Sequence, residues 1–121
     1  MLVREIYSDF GIGQPAERDF AFRSQIQKAG ISVMNNIAEG FERRSNTEFA
    51  RFLDIAKGSC GEVRSMYYAA EDLRYTLAET AKFRRTTADK IARGIASLAI
   101  HLRSGKYQQS PDDNPSSAND S

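Results

Sequence analysis

Histidine and cysteine, which often act as catalytic residues or metal ligands, are rare in this 121-residue chain. It has one histidine, His101, and one cysteine, Cys60. The Glu-x-x-His spacing of di-iron helical bundles is absent, because Leu98 stands three residues before His101. Cys60 lies in an apolar stretch beside glycine, and no histidine lies near it in sequence to act as its base. We therefore predict a surface or helix-end histidine, a small buried cysteine, and no catalytic residue, metal site or cofactor.

Basic side chains offer a different chemistry, the neutralisation of phosphates in a salt-dependent and sequence-independent manner. Arg43 and Arg44 lie in a predicted turn between two helices. Pairing of these two with Glu39, Glu42 or Glu48, which would fix the turn, is the alternative interpretation. The candidate nucleic-acid-binding residues are Arg43, Arg44, Arg51, Lys57, Arg84 and Arg85.

Charge and composition divide the chain into one domain and a tail. The whole chain has 17 Lys+Arg and 16 Asp+Glu, but three of the acids lie after residue 109, which leaves 17 − 13 = +4 on residues 1–109. We predict a domain over 1–107 and a disordered acidic tail over 108–121, where no aromatic or β-branched residue occurs. No membrane-spanning run and no signal-peptide pattern occurs, so we expect a cytoplasmic protein.

The clearest predicted helix begins with the capping box of Ser45 and Glu48 and continues with apolar residues at steps of three and four as far as Leu73. Gly58 and Gly61, which are poor helix formers, lie within this segment, but the spacing of its apolar residues continues unchanged across them. We interpret them as a site where a neighbouring backbone approaches closely, with a helix break as the alternative.

A second predicted helix runs from about Glu17 to Glu39 and is apolar on two sides, with Gly40 placed to end it in the left-handed conformation. A helix of this kind cannot lie on the surface of a monomer, so one side should meet another polypeptide. The candidate oligomer-interface residues are Ile31, Met34, Ala38 and Phe41.

Two further helices complete the prediction. Residues 2–10 have the pattern of the last turns of a helix, which Gly11 to Pro15 end. A second capping-box pattern, Thr76 to Glu79, begins the last helix, which ends at Ser104-Gly105 and has an alternative break at Thr86. No alternating strand pattern is present. The sequence therefore predicts an all-α protein, in which the short link from Phe41 to Arg44 joins the second and third helices as an antiparallel hairpin.

Two blocks of the sequence resemble a known family. The run from Ser24 to Ser45, SQIQKAGISVMNNIAEGFERRS, resembles the signature of the four-helix-bundle family encoded in intervening sequences of bacterial ribosomal RNA genes. The block from Glu48 to Ser59, EFARFLDIAKGS, is similar to the family's next block. Leu73-Arg74-Tyr75 resembles the family's Leu-Gly-Tyr at the end of the third helix.

The resemblance implies a fold and an assembly but no catalytic site. It implies an antiparallel up-down four-helix bundle that assembles as a ring-like homopentamer. A related branch, the accessory variability determinant of diversity-generating retroelements, forms such a ring. That branch uses a basic surface to engage nucleic acid and a reverse transcriptase. Fold-level likeness supports the architecture better than the activity.

Two departures from the family pattern bear on assembly. Met34 replaces the usual proline, which reduces any kink in the second helix. The family's first helix normally starts earlier relative to the rest, whereas here the chain begins at Met1. Either the first helix is short and leaves apolar surface exposed on the others, or part of the N-terminus is missing.

Our leading hypothesis from the sequence is a non-enzymatic oligomeric scaffold that binds RNA or DNA through a basic ring surface. The alternative is a protein–protein adaptor that docks a partner, such as a reverse transcriptase, without contacting nucleic acid.

Overall fold

The computed structural model of the chain describes residues 2–105. The tail predicted at 108–121 lies outside the described residues. Four helices follow one another, α1 (Leu2–Asp9), α2 (Phe20–Phe41), α3 (Asn46–Asp72) and α4 (Ala78–Arg103). The prediction of an all-α four-helix protein with a short first helix is confirmed.

Each helix runs antiparallel to the one before it. Gln25 on α2 donates a hydrogen bond to Glu62 on α3, and Ser32 hydrogen-bonds Ser59 nearer the connecting turn. Arg103, at the end of α4, pairs with Asp54 near the start of α3. The short α1 completes the bundle by packing between α2 and α4.

Capping explains where two of the helices begin. The backbone N–H of Glu48 donates to Ser45 Oγ at 3.0 Å, so the predicted cap of α3 is confirmed. The start of α2 was predicted too early, because Asp19 accepts the Phe22 N–H at 3.1 Å and makes Phe20 the first helical residue. The capping box at Thr76 is wrong. Leu77 is the N-cap without a side-chain bond, and Thr76 Oγ1 has no partner among the described residues.

The structure contradicts the roles predicted for three glycines. Gly40 does not end α2 in the left-handed conformation; it is buried inside the helix, where a Cβ would lie 2.9 Å from the Phe49 ring. Gly58 and Gly61 lie on an open face of a continuous α3, and within the described part of the chain an added Cβ would meet no atom within 4 Å. The close approach predicted at Gly58 and Gly61 is therefore wrong, and the close approach of α2 to α3 is at Gly40, where none was predicted.

The core has two halves that differ in the number of helices around them. All four helices contribute to the half near α1, where Ile6, Phe10 and Tyr67 are fully buried. Only α2, α3 and α4 contribute to the other half, around Leu53 and Leu102. The difference follows from length, since the 8 residues of α1 span about 12 Å and the 22 residues of α2 about 33 Å.

Candidate functional site

An apolar groove opens between α2 and α4 where α1 stops. Close packing marks its beginning, since a Cβ at Gly30 would lie only 2.7 Å from Ile6 Cδ1. From there α2 continues for three turns with no helix of the described residues covering its α1-facing side. The groove encloses about 480 Å³. Its lining residues are Leu2, Val3, Gly30, Val33, Met34, Ile37, Ala38, Phe41, Glu42 and Ile91.

The groove is an apolar surface that is exposed to solvent, which is uncommon for a small protein. Phe41 is 65% exposed and Met34 is 44% exposed, although both lie within the apolar stretch of α2. Val33 and Ile37, at its base, pack against the three-helix half of the core. The surface therefore offers a hydrophobic contact and very little to hold a polar ligand.

The predicted interface residues divide between the groove and the outer side of α2. Met34, Ala38 and Phe41 line the groove, whereas Ile31, 37% exposed, lies outside the lining. The structure describes a single chain, so their role in a homo-oligomer stays a prediction. Leu2, Val33 and Ile91 were not predicted as part of this surface. The sequence did contain a signal for it, because the predicted first helix is shorter than the apolar row on α2 that it faces.

The six basic candidates lie in two separate groups. Arg43 and Arg51 have their guanidinium groups 5.0 and 5.4 Å from the Phe52 ring centre, near the α2–α3 turn. Arg84 and Arg85 lie towards the other end, since Arg85 pairs with Glu71, twenty residues and about 30 Å along α3 from Arg51. Lys57 lies between the groups, exposed on α3.

Three of these six side chains are committed to carboxylates. Arg43 forms an ion pair with Glu39, as the alternative interpretation of the turn predicted. Arg85 donates to Glu71 at 3.0 Å and lies over the Tyr68 ring, with 4.0 Å to its centre. Arg84 forms a bidentate pair with Asp9. Arg44 is exposed and forms no pair with any residue of 2–105.

Arg84 belongs to a polar network inside the bundle. Tyr67 donates to Asp9 Oδ2 at 2.7 Å, and Glu5 lies 3.6 Å from Arg84. Burial and the Asp9 carboxylate raise the pKa of Tyr67 well above its ordinary value, and the bond to Asp9 likewise raises the pKa of Arg84. The network links α1, α3 and α4, so Arg84 acts in packing the bundle.

The excess positive charge of the described chain lies on α4. This helix carries six basic residues and two acidic ones, a net charge of 6 − 2 = +4. Lys82, Lys90 and Arg93 are exposed there, and sequence reasoning missed them. Counting charge helix by helix would have found them, since α3 has three basic residues and five acidic ones.

Residues 2–105 form neither a metal-ligand cluster nor a membrane-spanning helix. No three histidine, cysteine, aspartate or glutamate side chains come together as metal ligands. None of the helices there has the length and apolar character needed to cross a bilayer.

Comparison with curated proteins finds no match. The profile of the family described as 23S rRNA-intervening sequence protein matches residues 1–97, which include α1, α2, α3 and most of α4. This match confirms the resemblance seen in the two sequence blocks. The chain belongs to the family of 23S rRNA-intervening sequence proteins.

Proposed function

We propose that this chain is a non-enzymatic helical scaffold that associates with other polypeptides through the apolar groove. The observation that carries the proposal is the open row of apolar side chains on α2 beyond Leu2. Burial of such surface contributes about 25 cal/mol per Å² of apolar area, so a groove of this size favours association. The alternative from the sequence, a protein–protein adaptor, thus becomes the leading one.

Site-specific photocrosslinking in cells tests this association. A photoreactive residue in place of Ala38 should crosslink to another polypeptide, whereas the same residue at Ser24, also exposed on α2, should not. The size of the product identifies a second copy or a different protein. Equal crosslinking at both positions, or none at Ala38, would contradict the proposal.

Self-assembly is a second part of the proposal. The resemblance implies a homopentamer, and Ile31 gives the outer side of α2 an apolar residue separate from the groove lining. We expect light scattering to give a mass above that of one chain, and Ile31→Glu to lower it. A wild-type monomer would discard the assembly while leaving docking in the groove intact. A reverse transcriptase partner and action in the cytoplasm stay predictions.

Nucleic-acid binding is a second candidate function, supported by the charge of α4. The exposed Lys82 and Lys90 are better placed to contact phosphates than Arg84 and Arg85, which already bind carboxylates. Titration of structured RNA and duplex DNA at low and high salt tests it, with Lys90→Gln as the weakened variant. Affinity that does not respond to salt would discard this function.

A further inference from the structure

The groove continues the line of α1. Asp9 binds Arg84, and Leu2 lines the groove together with Ile91. Helix α1 therefore runs antiparallel to α4, as it does to α2. Beyond Leu2 the groove extends along α2 to Phe41 and Glu42. The position that a longer α1 would take in the three-helix half of the bundle is therefore the open groove itself.

Building on the docking function proposed above, we infer that the groove binds one amphipathic α-helix of another polypeptide, running in the same direction as α1. The twelve residues from Gly30 to Phe41 set its length at about 18 Å, or just over three turns. A helix in this position is antiparallel to both α2 and α4, which is the arrangement that α1 already has.

The contact face of the partner helix follows from the shape of the groove. Leu2 and Ile6 in α1, and Phe10 directly after it, present apolar side chains four residues apart to the core. The groove continues with Val33 and Ile37 at its base. The partner should therefore carry large aliphatic residues at i, i+3 or i+4, and i+7, with polar residues on its opposite side.

Charge sets the direction of the partner helix. Glu42 lines the far end of the groove, and its carboxylate forms no ion pair with any described residue. A helix that runs in the direction of α1 places its N-terminus there, where the positive end of its dipole meets the carboxylate. A lysine or arginine in its first turn would strengthen the contact. A helix in the reversed direction would instead place the negative end of its dipole beside the Glu42 carboxylate.

Residues 106–121 do not offer such a face. Residues 106–121 contain only Tyr107 and Ala118 as apolar residues, and two prolines interrupt them. A segment of that composition cannot present aliphatic side chains at helical spacing. Residues 106–121 therefore do not supply the partner helix.

A designed peptide tests the partner helix against the full chain. The probe is a fluorescent peptide of about 14 residues with leucines on one face and lysine in its first turn. Its control has the same composition in scrambled order. Met34→Glu and Ile55→Glu form a matched pair, since both residues are apolar and similarly exposed, at 44% and 45%, but only Met34 lines the groove.

Fluorescence anisotropy should show binding of the amphipathic peptide and at least about tenfold weaker binding of the scrambled one, as the loss of one buried aliphatic contact implies. Met34→Glu should weaken binding by about tenfold or more, and Ile55→Glu by less than about twofold. Glu42→Gln should remove the preference for lysine over glutamate in the first turn. Ala38→Glu serves as the groove variant if Met34→Glu fails to fold by circular dichroism.

The inference is overturned if the amphipathic peptide does not bind or if the scrambled peptide binds equally well. It is overturned too if Met34→Glu and Ile55→Glu weaken binding equally. It is also overturned if light scattering shows an oligomer that Met34→Glu dissociates, because a second copy then fills the groove. In either case crosslinking at Ala38 still decides the proposed docking function, so the two failures are distinguishable.

Discussion

Arg84 donates two hydrogen bonds to Asp9, from Nε at 2.8 Å and from Nη2 at 3.1 Å, and so joins the N-terminal part of α4 to the end of α1. Both side chains are largely buried, with 18% and 10% of their surfaces exposed. A buried carboxylate left without its partner is costly. This pair, with Tyr67 on the same carboxylate, holds the short α1 in the bundle and thereby defines where the groove begins.

Replacement of Arg84 should therefore destabilise the fold. We expect Arg84→Ala to lower the free energy of unfolding by about 2–3 kcal/mol, because Asp9 stays buried without its cation. Urea denaturation measures the change. The matched control is Arg93→Ala, which removes an exposed pair with Asp89 and should cost less than about 0.5 kcal/mol. Loss of RNA binding by Arg84→Ala at unchanged stability would contradict this role.

The glycines of α2 and α3 should respond oppositely to alanine. Gly40→Ala places a Cβ 3.2 Å from the Phe49 carbonyl oxygen as well as 2.9 Å from its ring, so backbone must move, and we expect a loss of about 1–3 kcal/mol. Gly58→Ala enters open space and should gain about 0.5–1 kcal/mol from helix propensity. Thermal unfolding by circular dichroism compares them, and a stabilised Gly40→Ala would show that α2 and α3 do not approach this closely.

Arg74 ends α3 in a conformation that suits glycine. Its φ is +60°, and the Tyr75 N–H donates to the Ala70 carbonyl at 2.8 Å, which is the pattern of a Schellman cap. Arg74→Gly should therefore raise the free energy of unfolding by about 0.5–1 kcal/mol, whereas Arg74→Ala should not. Chemical denaturation of the two variants measures the difference, and equal gains would refute the assignment of strain to this backbone.

Cys60 should be unreactive in the folded protein. Burial raises its pKa to about 11, so the thiolate is scarce at neutral pH. Ellman's reagent should label it slowly in buffer and fast in denaturant. Because the folded-state pKa is above the unfolded one, the contribution of this thiol to stability is complete below about pH 9 and is lost as the pH rises towards 11. Rapid labelling of the native protein would mean that α3 is open there.

How far the sequence predicts the structure depends on whether a feature is local. The cap at Ser45, the Arg43–Glu39 pair and the end of α4 at Ser104 are confirmed, since each involves residues within one or two helical turns. The role of Gly40 and the partners of Arg84 were not predictable from spacing, because they depend on which helices become neighbours. Helix periodicity does not report those contacts.

The candidate site shows the same limit. The apolar surplus of α2 was visible in the sequence, and Met34, Ala38 and Phe41 were identified from it. Its shape was not, because a groove needs a second wall, which α4 supplies through Ile91. Adjacent arginines such as Arg84 and Arg85 are visible in the sequence as candidate phosphate-binding residues. Their ion pairs are not visible there, because these pairs form between different helices.

Intermolecular NOEs between the designed peptide and the methyl groups of the full chain test the central claim most directly. A helix docked along the line of α1 should give NOEs to Leu2, Val33 and Ile37 on one side and to Ile91 on the other. Contacts confined to Ile31, on the outer side of α2, or a peptide that binds without contacting either wall, would contradict it.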